Sequence, residues 1–258
     1  MMDDATHRLD DPSASAELLA LASPSAESKA FADAMADQSP RVLVGGLAGD
    51  GHFPEAVKLL ALALPRREAV WWACRCCRES LTGDEPPEAL SALEAAERWA
   101  ADPIEEHRRA AHAAAEASGM EAPAGCAAMG AFFGGGSIAP PNVPDVPPAP
   151  HLTAHVVAGA VMLCAVRSEP EKAPEKYRAF LALGFSVADG ADRPPPIALP
   201  AGQPAPVSPR PAPPSAREDR WGEESTRPPV PNPRQSPDPA PRPPSPAPPR
   251  TRRWDEWE

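Results

Sequence analysis

The chain has 258 residues, which is enough for one domain of ordinary size with residues to spare. Its formal net charge is −11; residues 1–190 carry −12 and residues 191–258 carry +1. Because so acidic a body repels phosphate backbones, this charge argues against general nucleic-acid binding. Aromatic residues make up only 5% of the chain, so its core has to be built mainly from alanine, leucine and valine.

The first residues carry no signal for export. Residues 1–12 are acidic and contain no apolar stretch, so we expect a disordered N-terminus and no signal peptide. Five cysteines, with three crowded at Cys74, Cys76 and Cys77, do not form the pattern of a disulfide framework. Only four lysines accompany 21 arginines, which is typical of a GC-rich bacterial genome. The sequence therefore predicts a bacterial, cytoplasmic protein.

Helix signals recur along residues 13–190, mostly as a proline at the first helical position, where its missing N–H costs nothing. The predicted helices cover residues 25–37, 53–64, 66–81, 89–101, 104–118, 122–133, 152–167 and 174–188. The only β-branched cluster covers residues 41–44, and two glycines follow it at once. Since no segment alternates with period two over the length of a strand, we predict an all-α domain of about 7–9 helices, packed as helical hairpins.

Two proline-rich segments interrupt or follow this domain. The first, about residues 138–150, is predicted to be an internal linker; the second, residues 191–258, contains 22 of the 39 prolines. Such a tail has too few apolar side chains to offset the entropy of ordering it, so we predict a disordered C-terminal tail. The apolar run Leu152–Val166 is shorter than the roughly 20 residues of a spanning helix, which predicts a core helix and no stable membrane insertion.

One predicted helix, residues 66–81, divides into two faces. Its three cysteines fall on the apolar side and point in different directions, so they are interpreted as small core residues; we predict no metal and no cofactor. The opposite side, named the Arg/Trp face, consists of Arg67, Trp71, Arg75 and Arg78.

The Arg/Trp face has two interpretations. Arginine and tryptophan are enriched at binding hot spots, so the face is a candidate site for an acidic peptide or protein partner. Alternatively, the arginines pair with neighbouring acids while Trp71 packs against an adjacent helix.

The predicted tail carries its own candidate site. Residues 220–224 and 253–258 share the pattern Arg-Trp-x-Glu and contain Trp221, Trp254 and Trp257. A tryptophan in a disordered segment has no core to fill, so a short docking motif is predicted, the alternative being chance in a biased sequence. Because this motif is acidic, it complements the Arg/Trp face, and docking within one chain or between subunits is a hypothesis.

An enzymatic site is the second hypothesis for this chain. His151 and His155 lie four residues apart and so face the same way on a helix, but no glutamate-containing metal motif accompanies them. The glycines at 134–136 lack the lysine and Ser/Thr of a phosphate-binding loop. The leading prediction is thus a non-catalytic cytoplasmic adaptor that binds protein partners; the alternative is an enzyme of unrecognised type near the glycines and these histidines.

Two stretches resemble a known family. Residues 64–72, Leu-Pro-Arg-Arg-Glu-Ala-Val-Trp-Trp, and residues 133–140, which lead through prolines to His151, are similar to an uncharacterised family of bacterial helical proteins. The resemblance covers about residues 40–190 and implies no catalytic residues. Members are sometimes associated with type VI secretion loci, which implies an accessory part of a larger assembly.

Overall fold

The computed structural model describes residues 8–140 and 142–195, and within them it contains α-helices, one 3-10 helix and no strand. The predicted all-α class is confirmed. Residues 1–7 of the predicted N-terminal segment and residues 196–258 of the predicted tail lie outside the described residues.

Ten α-helices are complete within the described residues, and residues 8–10 are helical as well. They are α1 (Ser13–Ala22), α2 (Ala26–Ala34), α3 (Pro40–Gly49), α4 (Phe53–Ala63), α5 (Arg66–Glu79), α6 (Pro87–Ala101), α7 (Glu105–Ser118), α8 (Pro123–Phe132), α9 (Leu152–Val166) and α10 (Ala173–Ala188), with the 3-10 helix Pro170–Lys172 directly before α10.

Helices α1 and α3 were not among the predicted helices, and α3 contains the β-branched cluster of residues 41–44. Pro40 begins this helix because the fixed φ of proline suits the first helical turn. Leu43, Val44 and Leu47 then fall on one face and are fully buried. Burial of this face against the neighbouring helix α4 outweighs the weak strand preference of the valines.

The core is continuous and is made mostly of alanine, leucine and valine, with Trp72 as its largest fully buried side chain. Helix α9 packs against α4, α5, α8 and α10, which explains why it is apolar on every side.

No single helix among the described residues is long and apolar enough to cross a membrane. Helix α9 and the segment Pro170–Ala188 meet the length and hydropathy required of a membrane span only as a pair, and that pair is bent by 116°.

The predicted linker is a loop within the helical domain, between α8 and α9. The Ser137 hydroxyl accepts hydrogen bonds from the backbone N–H groups of Ala139 (3.1 Å) and Val146 (3.0 Å). The guanidinium of Arg66 lies within 3.5 Å of the carbonyl oxygens of Gly134 and Pro150, at the two ends of the loop. These contacts close the loop on itself and hold its ends near the start of α5.

Candidate functional site

Helix α5 carries the predicted Arg/Trp face and is buried along most of its length. Pro65 precedes the helix, and Glu68 in the first turn is well placed at the positive end of the helix dipole. On the buried side the indole N–H of Trp72 donates to the carbonyl oxygen of Phe180 over 2.7 Å, which attaches α5 to α10. This attachment fixes the direction in which the opposite side chains of α5 point.

Two arginines of the Arg/Trp face contact α6. Arg67 donates to the carbonyl oxygens of Ala100 (2.5 Å) and Ala101 (2.9 Å), two of the groups that the end of a helix leaves without helical partners. Arg78 makes a two-pronged hydrogen bond with the carboxylate of Glu97, at 2.8 and 2.7 Å, and this bond raises the pKa of Arg78. Arg67 and Arg78 thus join helices α5 and α6.

The other two residues of the face bind one carboxylate. The indole N–H of Trp71 donates to Oδ1 of Asp192 over 2.9 Å, and Nε of Arg75 donates to Oδ2 over 2.8 Å. Trp71 is only 8% exposed, so its ring packs into the domain and its N–H reaches the edge. The structure therefore divides the predicted face into two pairs: Arg67 and Arg78 contact α6, and Trp71 and Arg75 bind Asp192.

Asp192 reaches α5 because the chain reverses after α10. Gly190 has a φ of +69°, a left-handed conformation that glycine adopts without strain. The backbone N–H groups of Ala191 and Asp192 then both donate to the carbonyl oxygen of Ser186, at 2.9 and 3.2 Å. This turn brings the beginning of the C-terminal segment back to α5, and no motif in the sequence indicated it.

A family model of unknown function, DUF6931, matches residues 43–188. The chain belongs to the DUF6931 family. The match runs from α3 to the end of α10 and includes the whole Arg/Trp face, whereas Asp192 lies just beyond it. Comparison with curated proteins and with solved structures returned no match. The predicted resemblance to an uncharacterised helical family is confirmed to that extent.

In this DUF6931 chain the glycine-rich segment is packed against aromatic and basic side chains. A Cβ atom at Gly134 would lie 2.3 Å from the ring of Trp99, so only glycine permits this approach. Gly136 has a φ of +61° and lies beside the guanidinium of Arg108. These contacts give the first and last glycines of the segment a structural explanation.

Arg108 is the buried centre of that packing, with 3% of the residue exposed. It donates to the carbonyl oxygens of Phe132 (2.7 Å) and Ser137 (2.8 Å) and to both carboxylate oxygens of Glu105 (2.6 and 2.7 Å). Arg109 donates to the same carboxylate over 2.8 Å. These arginines hold the pKa of Glu105 at about 2, and together they attach α7 to the end of α8.

The two histidines of the enzymatic hypothesis lie at the start of α9. His151 precedes the first residue of the helix, and Nδ1 of His155 lies 2.8 Å from the carbonyl oxygen of His151. Among the described residues, no three histidine, cysteine, aspartate or glutamate side chains are grouped to hold a metal ion.

All five cysteines are free thiols in buried positions, and the three on α5 lie in the core as predicted. Burial raises the pKa values of the Cys74 and Cys76 thiols well above the usual range of a cysteine. Cys77 on α5 and Cys164 on α9 meet in the core, with their sulfur atoms 3.6 Å apart.

Sequence reasoning missed a cavity of about 670 Å³ between the end of α5 and helix α10. Its lining includes Leu81, Lys176, Phe180 and Leu183. Leu81 is 38% exposed there, and no motif in the sequence indicated the site. The remaining predicted site residues, Trp221, Trp254 and Trp257, lie outside the described residues.

Proposed function

We propose that the protein is a non-catalytic cytoplasmic adaptor that binds protein partners. The observation that carries this proposal is the carboxylate of Asp192, bound at once by the Trp71 indole and the Arg75 guanidinium. An indole N–H and a guanidinium that converge on one carboxylate form a recognition site for an acidic group, and charge-assisted bonds of this kind are the stronger ones. Asp192 thereby anchors the start of the C-terminal segment at a defined place on α5.

The helical domain and the C-terminal segment have different roles in this proposal. The helical domain fixes where the C-terminal segment begins, and Trp221, Trp254 and Trp257 contact the partner. Tryptophan supplies a large apolar surface with one donor and dominates many binding hot spots. The resemblance to proteins associated with type VI secretion loci makes components of a bacterial secretion-type assembly the first partners to test.

The test compares three forms of the tagged full-length protein in its bacterial host, with co-purifying proteins measured by mass spectrometry. The forms are the parent chain, Trp254→Ala with Trp257→Ala, and a matched tail control, Val207→Ala with Val230→Ala. We expect the tryptophan variant to lose its specific partner by about tenfold or more, the usual effect of removing a hot-spot residue. The control keeps the partner.

A second variant, Trp221→Ala, shows whether the first tryptophan motif shares the contact. Retention of the same partners at the same level by all tryptophan variants would contradict the adaptor proposal. Loss of partners in the valine control as well would also contradict it, because binding would then not depend on tryptophan.

A further inference from the structure

Both apolar and polar side chains line the cavity between α5 and α10. Ala179, Phe180 and Leu183 of α10 form its apolar part together with Leu81, and its charged residues are Glu79, Glu169 and Lys176. Its volume of about 670 Å³ is in the range of pockets that bind a ligand or a short peptide. The apolar side chains of this lining, Leu81 at 38% exposure among them, are stabilised by contact with an apolar occupant.

On α10 the cavity and the C-terminal turn lie on one side of the helix. Lys176, Ala179, Leu183 and Ser186 are spaced by three or four residues, the spacing of a single helical stripe. The first three line the cavity, and the carbonyl oxygen of Ser186 accepts the hydrogen bonds that hold the returning chain at Asp192. The anchored turn and the cavity therefore lie along the same side of α10.

Helix α5 contributes residues to both the anchored turn and the cavity. Trp71, Arg75 and Glu79 are spaced by four residues along it. Trp71 and Arg75 bind Asp192, while Glu79 lines the cavity. Both helices thus place the anchor at one end and the cavity at the other.

The chain turns back after Gly190. Asp192 then lies beside Ser186, on the side of α10 that also lines the cavity. Ten residues of helix separate Ser186 from Lys176, which is about 15 Å at the helical rise. An extended proline-rich chain covers that distance in about five residues.

The residues that follow the anchor in the sequence include apolar side chains that can pack against the apolar lining of the cavity. Residues 196–200 read Pro-Ile-Ala-Leu-Pro, and Ile197 and Leu199 are the only isoleucine and leucine in residues 191–258. Residues two apart in an extended chain point to the same side. We infer that residues 196–200 bind in the cavity between α5 and α10 of their own chain, with Ile197 and Leu199 against Phe180 and Leu183. This contact needs no partner and stands apart from the adaptor role.

Photo-crosslinking in the full-length protein tests the inference. The photoreactive residue p-benzoylphenylalanine replaces Ala182, an exposed residue of the cavity lining, and Ala179 is the second position should the first variant fold poorly. A matched control carries the same residue at Ala110, an exposed alanine on α7. We expect an intramolecular crosslink from the cavity positions to residues 196–200, mapped by mass spectrometry, and none from Ala110.

A substitution in the tail provides the second measurement. Ile197→Asp with Leu199→Asp places two charges where the cavity is apolar, so the crosslink yield should fall by about tenfold and the amide hydrogens of residues 79–83 should exchange faster. Val230→Asp, farther along the tail, should change neither. A crosslink to another tail segment, a crosslink to a second copy of the chain, or a yield insensitive to the double substitution would overturn the inference.

Discussion

Trp71 and Asp192, 121 positions apart in the sequence, share a hydrogen bond of 2.9 Å between the indole N–H and the carboxylate. Arg75 binds the other oxygen of the same carboxylate. The end of the helical domain is thus held on α5 by a single acid that takes two donors. Removal of this acid is the most direct way to test what the anchor does.

Asp192→Ala should lower the free energy of unfolding by about 1–3 kcal/mol, because two part-buried donors, one of them charged, lose their acceptor. It should also shift the emission of Trp71, since the indole loses its carboxylate. Both effects are measured by thermal unfolding and tryptophan fluorescence. Asp84→Ala, at an exposed loop acid, is the control and should change neither. If the same emission shift persisted in a Trp71→Phe background, its assignment to this hydrogen bond would be wrong.

Two helical glycines should respond to alanine with opposite signs. At Gly184 an added Cβ would lie 2.6 Å from a methyl carbon of Leu60 and 2.9 Å from the ring of Trp72, so Gly184→Ala should destabilise by about 1–3 kcal/mol. At Gly159 an added Cβ meets nothing within 4 Å, so Gly159→Ala should stabilise α9 by about 0.5–1 kcal/mol. Denaturant unfolding of the two variants measures both changes in the free energy of unfolding. Equal changes in the two variants would refute the packing of Gly184 against Trp72.

Glu105 should make the protein sensitive to acid. Its pKa is about 2 in the folded chain, against an ordinary value of 4.5, because Arg108 and Arg109 donate to its carboxylate. A lowered folded pKa gives stability that is present above the unfolded pKa and is lost as the pH falls from about 4.5 to about 2. Glu105→Gln should therefore be less stable than the parent at pH 7 and should lose less stability over that acid range.

The adjacent Glu106→Gln is the matched control for this measurement, because Glu106 is an exposed acid on the same turn of α7. Unfolding of the three proteins is followed across the pH range at constant ionic strength. An acid dependence equal in parent and Glu105→Gln would show that the carboxylate contributes nothing to the acid sensitivity.

The cysteines should be unreactive until the protein unfolds. All five are buried, so a reagent has no access to them, and burial also raises the pKa of Cys74 and Cys76, which keeps these two thiols protonated. Titration with a disulfide reagent should label none of the five rapidly in the native protein and all five in guanidinium chloride. Rapid labelling of the native protein would show that α5, α8 or α9 opens without global unfolding.

Local signals were enough to predict most helices. Prolines at first positions and glycines at helix ends mark α4 to α8, where predicted and observed bounds agree within a few residues. Those signals act over one turn of helix. They do not extend to Asp192, an acid just before the proline-rich tail whose partners are 121 and 117 positions away.

The candidate site was therefore predictable only in part. The period of α5 grouped Trp71 and Arg75 correctly, but their common acceptor depends on a chain reversal at Gly190 that only the assembled helices define. The cavity at Phe180 likewise depends on the crossing of two helices that are distant in sequence. No sequence pattern predicts a close approach such as that of Gly134 to Trp99, because the approach depends on which helices become neighbours.

The reversal at Gly190 also determines where the folded domain can be cut. Composition places the boundary at residue 190, shortly before the prolines begin at Pro194. A protein shortened there loses Asp192 and leaves the indole of Trp71 and the charge of Arg75 without their acceptor. Such a fragment would have an artificial acid-binding surface and could bind acidic proteins that the whole chain ignores. A stop after Pro195 retains the anchor, so fragments meant to represent the helical domain should end there.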